Sequence, residues 1–407
     1  MKLSSFVPDR VSTHAKIFLI AAALNGLGNG MINVVFQLYL ISLGFDSAAI
    51  GAMVMMNPLG AALLTVPAGI LADRYGKKKV MISGFLLICV SLFIILFART
   101  YELFAICFFI IGLSNATFVV LTPLYSSFFD KDDMDRAFGL WGSLNILTMS
   151  LGNLVGWVPP MLVKNLGVSV SYSYWVVIAV SGVIVLIQTP LYLLALRGAV
   201  EPEGNNGFSL MIKSRGVIAK FFLLGVISMV SGGVFFNLFT YYVNSKFGVE
   251  SDALGTLFFA SNFVSAGANA VAPWISRKLG TLKAITIMIA LATPFYLAMP
   301  FAPSFVWISA LYIARLGLRT TANPLISSLF MKLLHEEEKS SANSIRQMAN
   351  QGGGVVAPWL GWQLMEMSLD LPAFVGGGLS AVLAGLYFLL LRKEEGLLVE
   401  EAMVNKT

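Results

Sequence analysis

Three arginines stand inside long apolar runs of this chain: Arg315 and Arg319, four residues apart, and Arg346. A guanidinium grips carboxylate or phosphate through two parallel N–H donors, so arginines within apolar runs are equipped to hold an anion. The spacing puts Arg315 and Arg319 on one helix face, with Arg315 near the middle of its run. An arginine at the centre of a membrane helix costs about 2.5–3.5 kcal/mol on insertion scales, so such a pair needs compensation. No acid stands at the same depth; Glu102 and Glu366, the nearest to hydrocarbon, fall at run ends. Two readings stay open. Either the pair faces a water-filled cavity and attracts an anionic solute, or the side chains snorkel to helix-end carbonyls and merely fix their helix. Arg346 lies closer to the end of its run, where a gate residue would stand.

Amides supply the next candidates. Asn25, Asn29, Asn33 and Gln37 follow one another at intervals of four in the first apolar run, drifting slowly around one face. Asn237, Tyr241 and Asn244 share a face in the seventh run, Asn115 and Thr122 lie in the fourth, and Gln347, Asn350 and Gln351 in the eleventh. Such groups either knit neighbouring helices by hydrogen bonds or line a polar cavity.

These side chains are positioned by helices that belong in a bilayer. Of 407 residues, 57% are hydrophobic and 12% charged, against about a quarter charged in soluble domains. About 20 apolar residues span the hydrocarbon core. By that ruler twelve spans are expected, at 16–43, 47–73, 79–98, 102–129, 136–163, 173–197, 216–245, 252–276, 283–301, 304–331, 339–366 and 371–392. The Gly, Glu, Pro and Asn content of 198–215 marks a cytoplasmic linker between an N-terminal half, 1–197, and a C-terminal half, 216–407. With both termini inside, the inner segments hold Arg74, Lys77, Lys78, Lys79, Lys131, Arg136, Arg277, Lys278 and Lys283 among others. The outer loops hold only Arg99, Lys164 and Lys246. That asymmetry sets the orientation, and it explains the net charge of +6 without nucleic acid. The N-terminus carries no cleavable signal, and the tail after Arg392 reads as short and frayed.

The second span ends in Gly69-Ile70-Leu71-Ala72-Asp73-Arg74-Tyr75-Gly76-Lys77-Lys78-Lys79. Gly76 stops the helix and the charges need water. Adding 204 carries Gly44 to Gly248, Gly51 to Gly255, Arg74 to Lys278 and Gly76 to Gly280, and pairs Asn33 with Asn237; an offset of 201 carries Pro123-Leu124-Tyr125-Ser126-Ser127 to Pro324-Leu325-Ile326-Ser327-Ser328. Internal repeats of this kind mark secondary transporters. The stretch resembles the loop between the second and third helices of the major facilitator superfamily, Gly-x-x-x-Asp-Arg/Lys-x-Gly-Arg/Lys-Arg/Lys. The resemblance implies an all-α membrane fold of twelve helices in two pseudo-symmetric six-helix bundles rocking about a central site. It places the first and seventh helices on the central cavity, which favours cavity lining for their amides. It makes Gly69, Asp73, Arg74, Gly76 and Lys77 an inner-face lock: Asp73 would cap a neighbouring helix, and Arg74 would pair with an acid such as Asp130, near Arg136. The antiporter signature of the fifth helix is incomplete, since Gly152 and Gly156 are present but Trp157 stands where its proline would be.

The expected function is therefore transport of a small polar solute, best an organic anion, across the plasma or inner membrane by alternating access. Exchange or facilitated flow is favoured over proton symport because no acid lies at mid-depth; the coupling ion is left open. The alternative is efflux of lipophilic drugs by proton antiport, through a pocket lined by some of the 30 Phe, 12 Tyr and 18 Met. An enzyme would need a nucleophile, acid/base pair or metal ligands at depth, and the sequence offers no such group. Cys89 and Cys107 read as reduced apolar-run thiols, and His14 and His335 are too far apart for a metal site. No cofactor, metal or nucleic-acid partner is expected; the partners are the lipid bilayer and the solute, and the chain reads as a monomer.

Overall fold

The computed structural model describes residues 11–118, 121–129, 134–197, 214–335 and 338–404, and these are helical with no strand among them. Eight helices precede the expected linker: α1 (Thr13–Ser42), α2 (Ser47–Tyr75), α3 (Lys77–Phe97), α4 (Tyr101–Thr117), α5 (Leu121–Ser126), α6 (Met134–Asn153), α7 (Val158–Leu166) and α8 (Val170–Leu196). After it come α9 (Arg215–Phe236), α10 (Phe239–Phe247), α11 (Ser251–Leu279), α12 (Thr281–Ala298), α13 (Phe305–Lys332), α14 (Lys339–Met367) and α15 (Leu371–Val404). Among the described residues, eight helical segments are long and apolar enough to cross a membrane. The helices α11, α13 and α14, of 29, 28 and 29 residues, are long enough but more polar. Two of these three carry Arg315, Arg319 and Arg346.

Local chemistry sets the helix ends. Ser12, Asp46 and Ser169 accept hydrogen bonds from Ala15 N (3.2 Å), Ala49 N (2.9 Å) and Tyr172 N (3.2 Å), capping α1, α2 and α8. The two turn glycines of the repeat adopt one conformation, Gly76 at φ 98° and ψ 136° and Gly280 at φ 84° and ψ 155°. Each donates its N–H to the helix behind it, Gly76 to Ala72 O (3.0 Å) and Gly280 to Ser276 O (2.9 Å), and each offers its carbonyl to the helix ahead. Gly44 and Gly248, the other turn pair, are also left-handed, at φ 90° and 63°. The repeat thus recurs in backbone geometry where Asp73 and Arg277 have diverged. Side chains with a Cβ are strained there, so Gly76→Ala and Gly280→Ala are each expected to destabilise the fold by about 1–3 kcal/mol, read as a lower thermal midpoint in detergent. Gly69→Ala is the control, since a Cβ there meets nothing within 4 Å.

Contacts divide the chain into two units, residues 1–205 with 240–263, and residues 206–239 with 264–407. In the first, α1 packs on α6 and α8, α2 on α4, and α3 on α4 and α8. Glycines let the backbones meet: a Cβ on Gly30 would strike Met149 O, one on Gly112 would strike Asn57 O, and one on Gly60 would strike Phe109 O. An aromatic knot closes one end, with the Phe18 ring 4.6 Å from Tyr125, 5.2 Å from Tyr192 and 5.3 Å from Trp141. Residues 240–263 join this unit through the helix break at 154–157. Ser251 donates to Gly156 O (2.7 Å), Trp157 Nε1 donates to Thr256 Oγ1 (3.1 Å), and a Cβ on Gly255 would strike Asn153 O.

In the second unit α9 packs on α14 and α15, and α12 on α13 and α15. Its apolar core runs from Phe221 and Leu224 through Ile285 and Ile289 to Phe330 and Tyr387. Glu338, 1% exposed, stitches two helix starts together: it accepts from Ser214 N (3.0 Å) and the Ser214 hydroxyl ahead of α9, and from His335 N (3.2 Å) ahead of α14. Glu338→Ala would take the charged acceptor from these part-buried donors; a destabilisation of about 1–3 kcal/mol is expected in thermal unfolding, with Glu338→Gln intermediate. The tail departs from the sequence expectation. α15 continues past Arg392 to Val404, because Lys220 pairs with Glu394 and the following residues are mostly good helix formers.

Candidate functional site

Arg315 lies in the middle of α13, 7% exposed. Its guanidinium rests 4.0 Å from the Phe236 ring centre and 5.0 Å from that of Tyr296. These two rings, from the end of α9 and from α12, also contact one another at 4.9 Å, so the cation sits on a preformed aromatic wall. Among the described residues it has neither an ion pair nor a hydrogen bond, and Tyr296, Tyr312 and Arg319 are the groups near enough to act on it electrostatically. A buried guanidinium held by rings alone keeps its donors for something else.

Arg319, one turn further along α13, donates to Asn323 Oδ1 (3.2 Å) and to the hydroxyl of Ser228 on α9. Arg346 on α14 donates to Ser327 Oγ (3.2 Å) and Asn343 Oδ1 (3.4 Å), leaves its Nε buried without a partner, and lies over the Phe330 ring at 5.3 Å. Tyr387, 2% exposed on α15, stands within electrostatic reach of both. All acceptors are neutral. The described acids of this unit are elsewhere: Glu338 at the helix caps, Glu394 on Lys220, and Glu366 and Asp370 at the opposite end of α14. Residues 315, 319, 323 and 327 follow at intervals of four, so α13 carries a polar lane that Arg346 and Asn343 extend from α14. Asn350, also on α14, donates to Gln347 Oε1 (3.2 Å), and Asn237 stands at the break between α9 and α10.

The remaining amides lie in the first unit. Asn29 donates to both the carbonyl (2.9 Å) and the Oδ1 (2.9 Å) of Asn25, while Asn29 and Asn33 stay exposed and Gln37 is half-buried. On the same helix Gly26 and Gly30 press on α6 and Gly28 faces Ile184 of α8. Asn29 and Asn33 mark the part of α1 that these seams leave uncovered. Asn115 donates to Asn57 Oδ1 at 3.4 Å, Tyr241 is half-buried, and Asn244 closes a turn on Val249 O (3.0 Å). Arg74 is exposed over its neighbour's ring, 5.4 Å from Tyr75. The helix break after Tyr75 and the exposed Arg136 are described, whereas the Asp73 side chain, Asp130 and residues 198–213 lie outside the described residues. Sequence reasoning missed Phe236, Tyr296, Ser228 and Tyr387, because aromatic and hydroxyl residues are abundant in every span. The one available signal was Phe236 beside the expected cavity residue Asn237.

These features define a multi-pass helical membrane protein with a buried cationic site. The family model of the Major Facilitator Superfamily matches residues 18–358 and, again, 221–400. The chain belongs to that superfamily of membrane transporters. Multidrug resistance protein 1 of Bacillus subtilis (strain 168) is 22% identical over 361 residues, 86% of this chain and 88% of that protein. The uncharacterized MFS-type transporter YxaM of the same organism is 39% identical over 69 residues, and the match spans only 17% of either chain. Among solved structures, the nucleoside transporter NupG superposes with a TM-score of 0.71 at 17% identity, covering 93% of this chain and 99% of that one. That likeness shows the fold.

Proposed function

We propose that this protein is a secondary transporter of a small organic anion, working by alternating access in the cell membrane with both termini cytoplasmic. The observation that carries the reading is Arg315, buried on the Phe236 and Tyr296 rings with no ion pair or hydrogen bond among the described residues. A cation in that position is costly to keep unless a partner arrives from outside, and an anion is the partner whose chemistry fits. Twelve spans arranged as two six-helix bundles, 1–197 and 216–407, would present Arg315 and Arg319, with Asn25, Asn29, Asn33, Gln37, Asn115, Asn237, Tyr241 and Asn350 as neutral polar lining. Arg346 guards the end of the α13 lane, and Gly69, Asp73, Arg74, Gly76, Lys77, Asp130 and Arg136 form the inner lock. With no acid at mid-depth to carry a proton, exchange or facilitated flow is the favoured coupling. No chemistry is performed on the solute, so neither a cofactor nor a metal is required, and one chain suffices.

The test is thermal stabilisation of the detergent-purified chain by a panel of sugars, amino acids, carboxylates, phosphorylated metabolites and lipophilic cations. A ligand of the folded state raises its stability with the logarithm of its saturation. Anions are expected to raise the midpoint. Stabilisation by lipophilic cations alone would overturn the reading in favour of drug efflux, the runner-up, for which the likeness to Multidrug resistance protein 1 of Bacillus subtilis speaks.

A further inference from the structure

Resting on that reading, we infer that the site is built for a dianion with two separate charged groups, one held by Arg315 and the other by Arg319. The first observation is a count of charges. Arg315 has no hydrogen-bond or ion-pair partner among the described residues, and Arg319 holds only the neutral oxygens of Asn323 and Ser228. Neutral acceptors satisfy donors but do not cancel charge, so both guanidinium groups remain fully cationic and repel one another across one turn. A monoanion would neutralise one and leave the other. A dianion neutralises both.

The second observation is spacing. Side chains four apart on a helix leave it roughly 5–6 Å from each other at Cβ, and these two reach anchors eight residues apart on α9, Phe236 and Ser228, so the charges sit at two distinct points. Arg315 is fixed on the rings of Phe236 and Tyr296, and Arg319 is tied to α9 through Ser228, so neither is free to swing onto a single point charge. Two cations with separate anchors match a solute with two separate charged groups, a dicarboxylate or an acid bearing a phosphoryl group, rather than a single carboxylate. The third observation is polarity beyond the pair. Asn323, Ser327 and Asn343 continue the lane and offer neutral contacts to the solute's uncharged part, while Arg346 is already tied to two of them.

The test measures the thermal midpoint of the purified full chain against increasing butyrate and against the dicarboxylates from oxalate to adipate. The best of the dicarboxylates is expected to half-saturate the shift at a concentration at least about tenfold below butyrate, with oxalate, whose carboxylates are adjacent, the weakest of them. Arg319→Gln should bring the dicarboxylates down towards the level of butyrate, weakening them by at least about tenfold more than it weakens butyrate. Arg319→Lys keeps the charge and should retain a preference for the dicarboxylate, which separates charge from any folding defect. Equal affinity for butyrate and succinate, or an Arg319→Gln variant that weakens both alike, overturns the dianion while leaving anion transport standing. Oxalate binding as tightly as the best longer dicarboxylate overturns the two separate anchors. A chain that no anion stabilises overturns both proposals.

Discussion

Arg315→Gln is expected to lower anion binding by about 30- to 4,000-fold while leaving the ligand-free protein as stable as before, or more so. The two halves of that expectation have different causes. Truncating one member of a buried charge pair costs about 2–5 kcal/mol of binding, which converts to losses of this size at 1.4 kcal/mol per tenfold. Stability moves the other way because the empty site keeps an uncompensated cation at depth. Insertion of that cation costs about 2.5–3.5 kcal/mol, and stacking on the Phe236 and Tyr296 rings returns about 2 kcal/mol when desolvated. Removing it should therefore stabilise the ligand-free fold by about 1 kcal/mol. Arg315→Lys keeps the charge but loses the planar fork, so weak binding should survive. The measurements are anion uptake into proteoliposomes and the thermal midpoint with and without anion. A structural arginine would give the opposite pair of results: a lower midpoint in the variant and an unchanged response to anions.

Much of the framework was readable from residue types because membrane helices announce their ends. The runs expected at 47–73, 79–98 and 339–366 correspond to α2, α3 and α14 within two residues, since glycine turns and charged clusters mark those boundaries. The repeat was equally legible: Gly76 and Gly280 share a left-handed turn that no other residue adopts at ease. Side-chain partnerships were not legible. Arg315 could be picked out by its type and depth, but that rings rather than a carboxylate hold it depends on how α9 and α12 turn against α13. Glu336, Glu337 and Glu338 form one acidic run in sequence. That Glu338 turns inward to accept from Ser214 and His335 is decided by the distant Ser214. Asn244 shared a helix face with Tyr241 by spacing, yet the Gly248 turn folds Val249 O back onto it. The tail was misjudged for the same reason, since the Lys220 partner of Glu394 is 174 residues away.

Gly152→Val is expected to abolish folding, and the reason reaches the site. Gly152 on α6 faces α1 so closely that an added Cβ would overlap Leu27 O, lie 3.0 Å from Leu27 C and stand 3.1 Å from Gly30 Cα. These neighbours are backbone, so no side chain can rotate away; the helices must separate. Gly30 answers from the other side, where a Cβ would strike Met149 O and stand 3.0 Å from Asn153 N. Overpacking in compact cores costs about 1–3 kcal/mol even where side chains can adjust, so a clash between two backbones exceeds that. Separation of α1 from α6 would also turn the Asn25, Asn29, Asn33 and Gln37 stripe, whose exposure depends on Gly26 and Gly30 holding that seam. Gly139→Ala on the same helix is the control: a Cβ there meets nothing within 4 Å, and alanine favours the helix by about 0.8–1.0 kcal/mol over glycine. The expected readout is loss of the monodisperse peak of Gly152→Val in size-exclusion chromatography beside a Gly139→Ala midpoint at or above that of the parent. A folded Gly152→Val chain would mean that α1 and α6 can part without unfolding, and the amide stripe would then be free to rotate during transport.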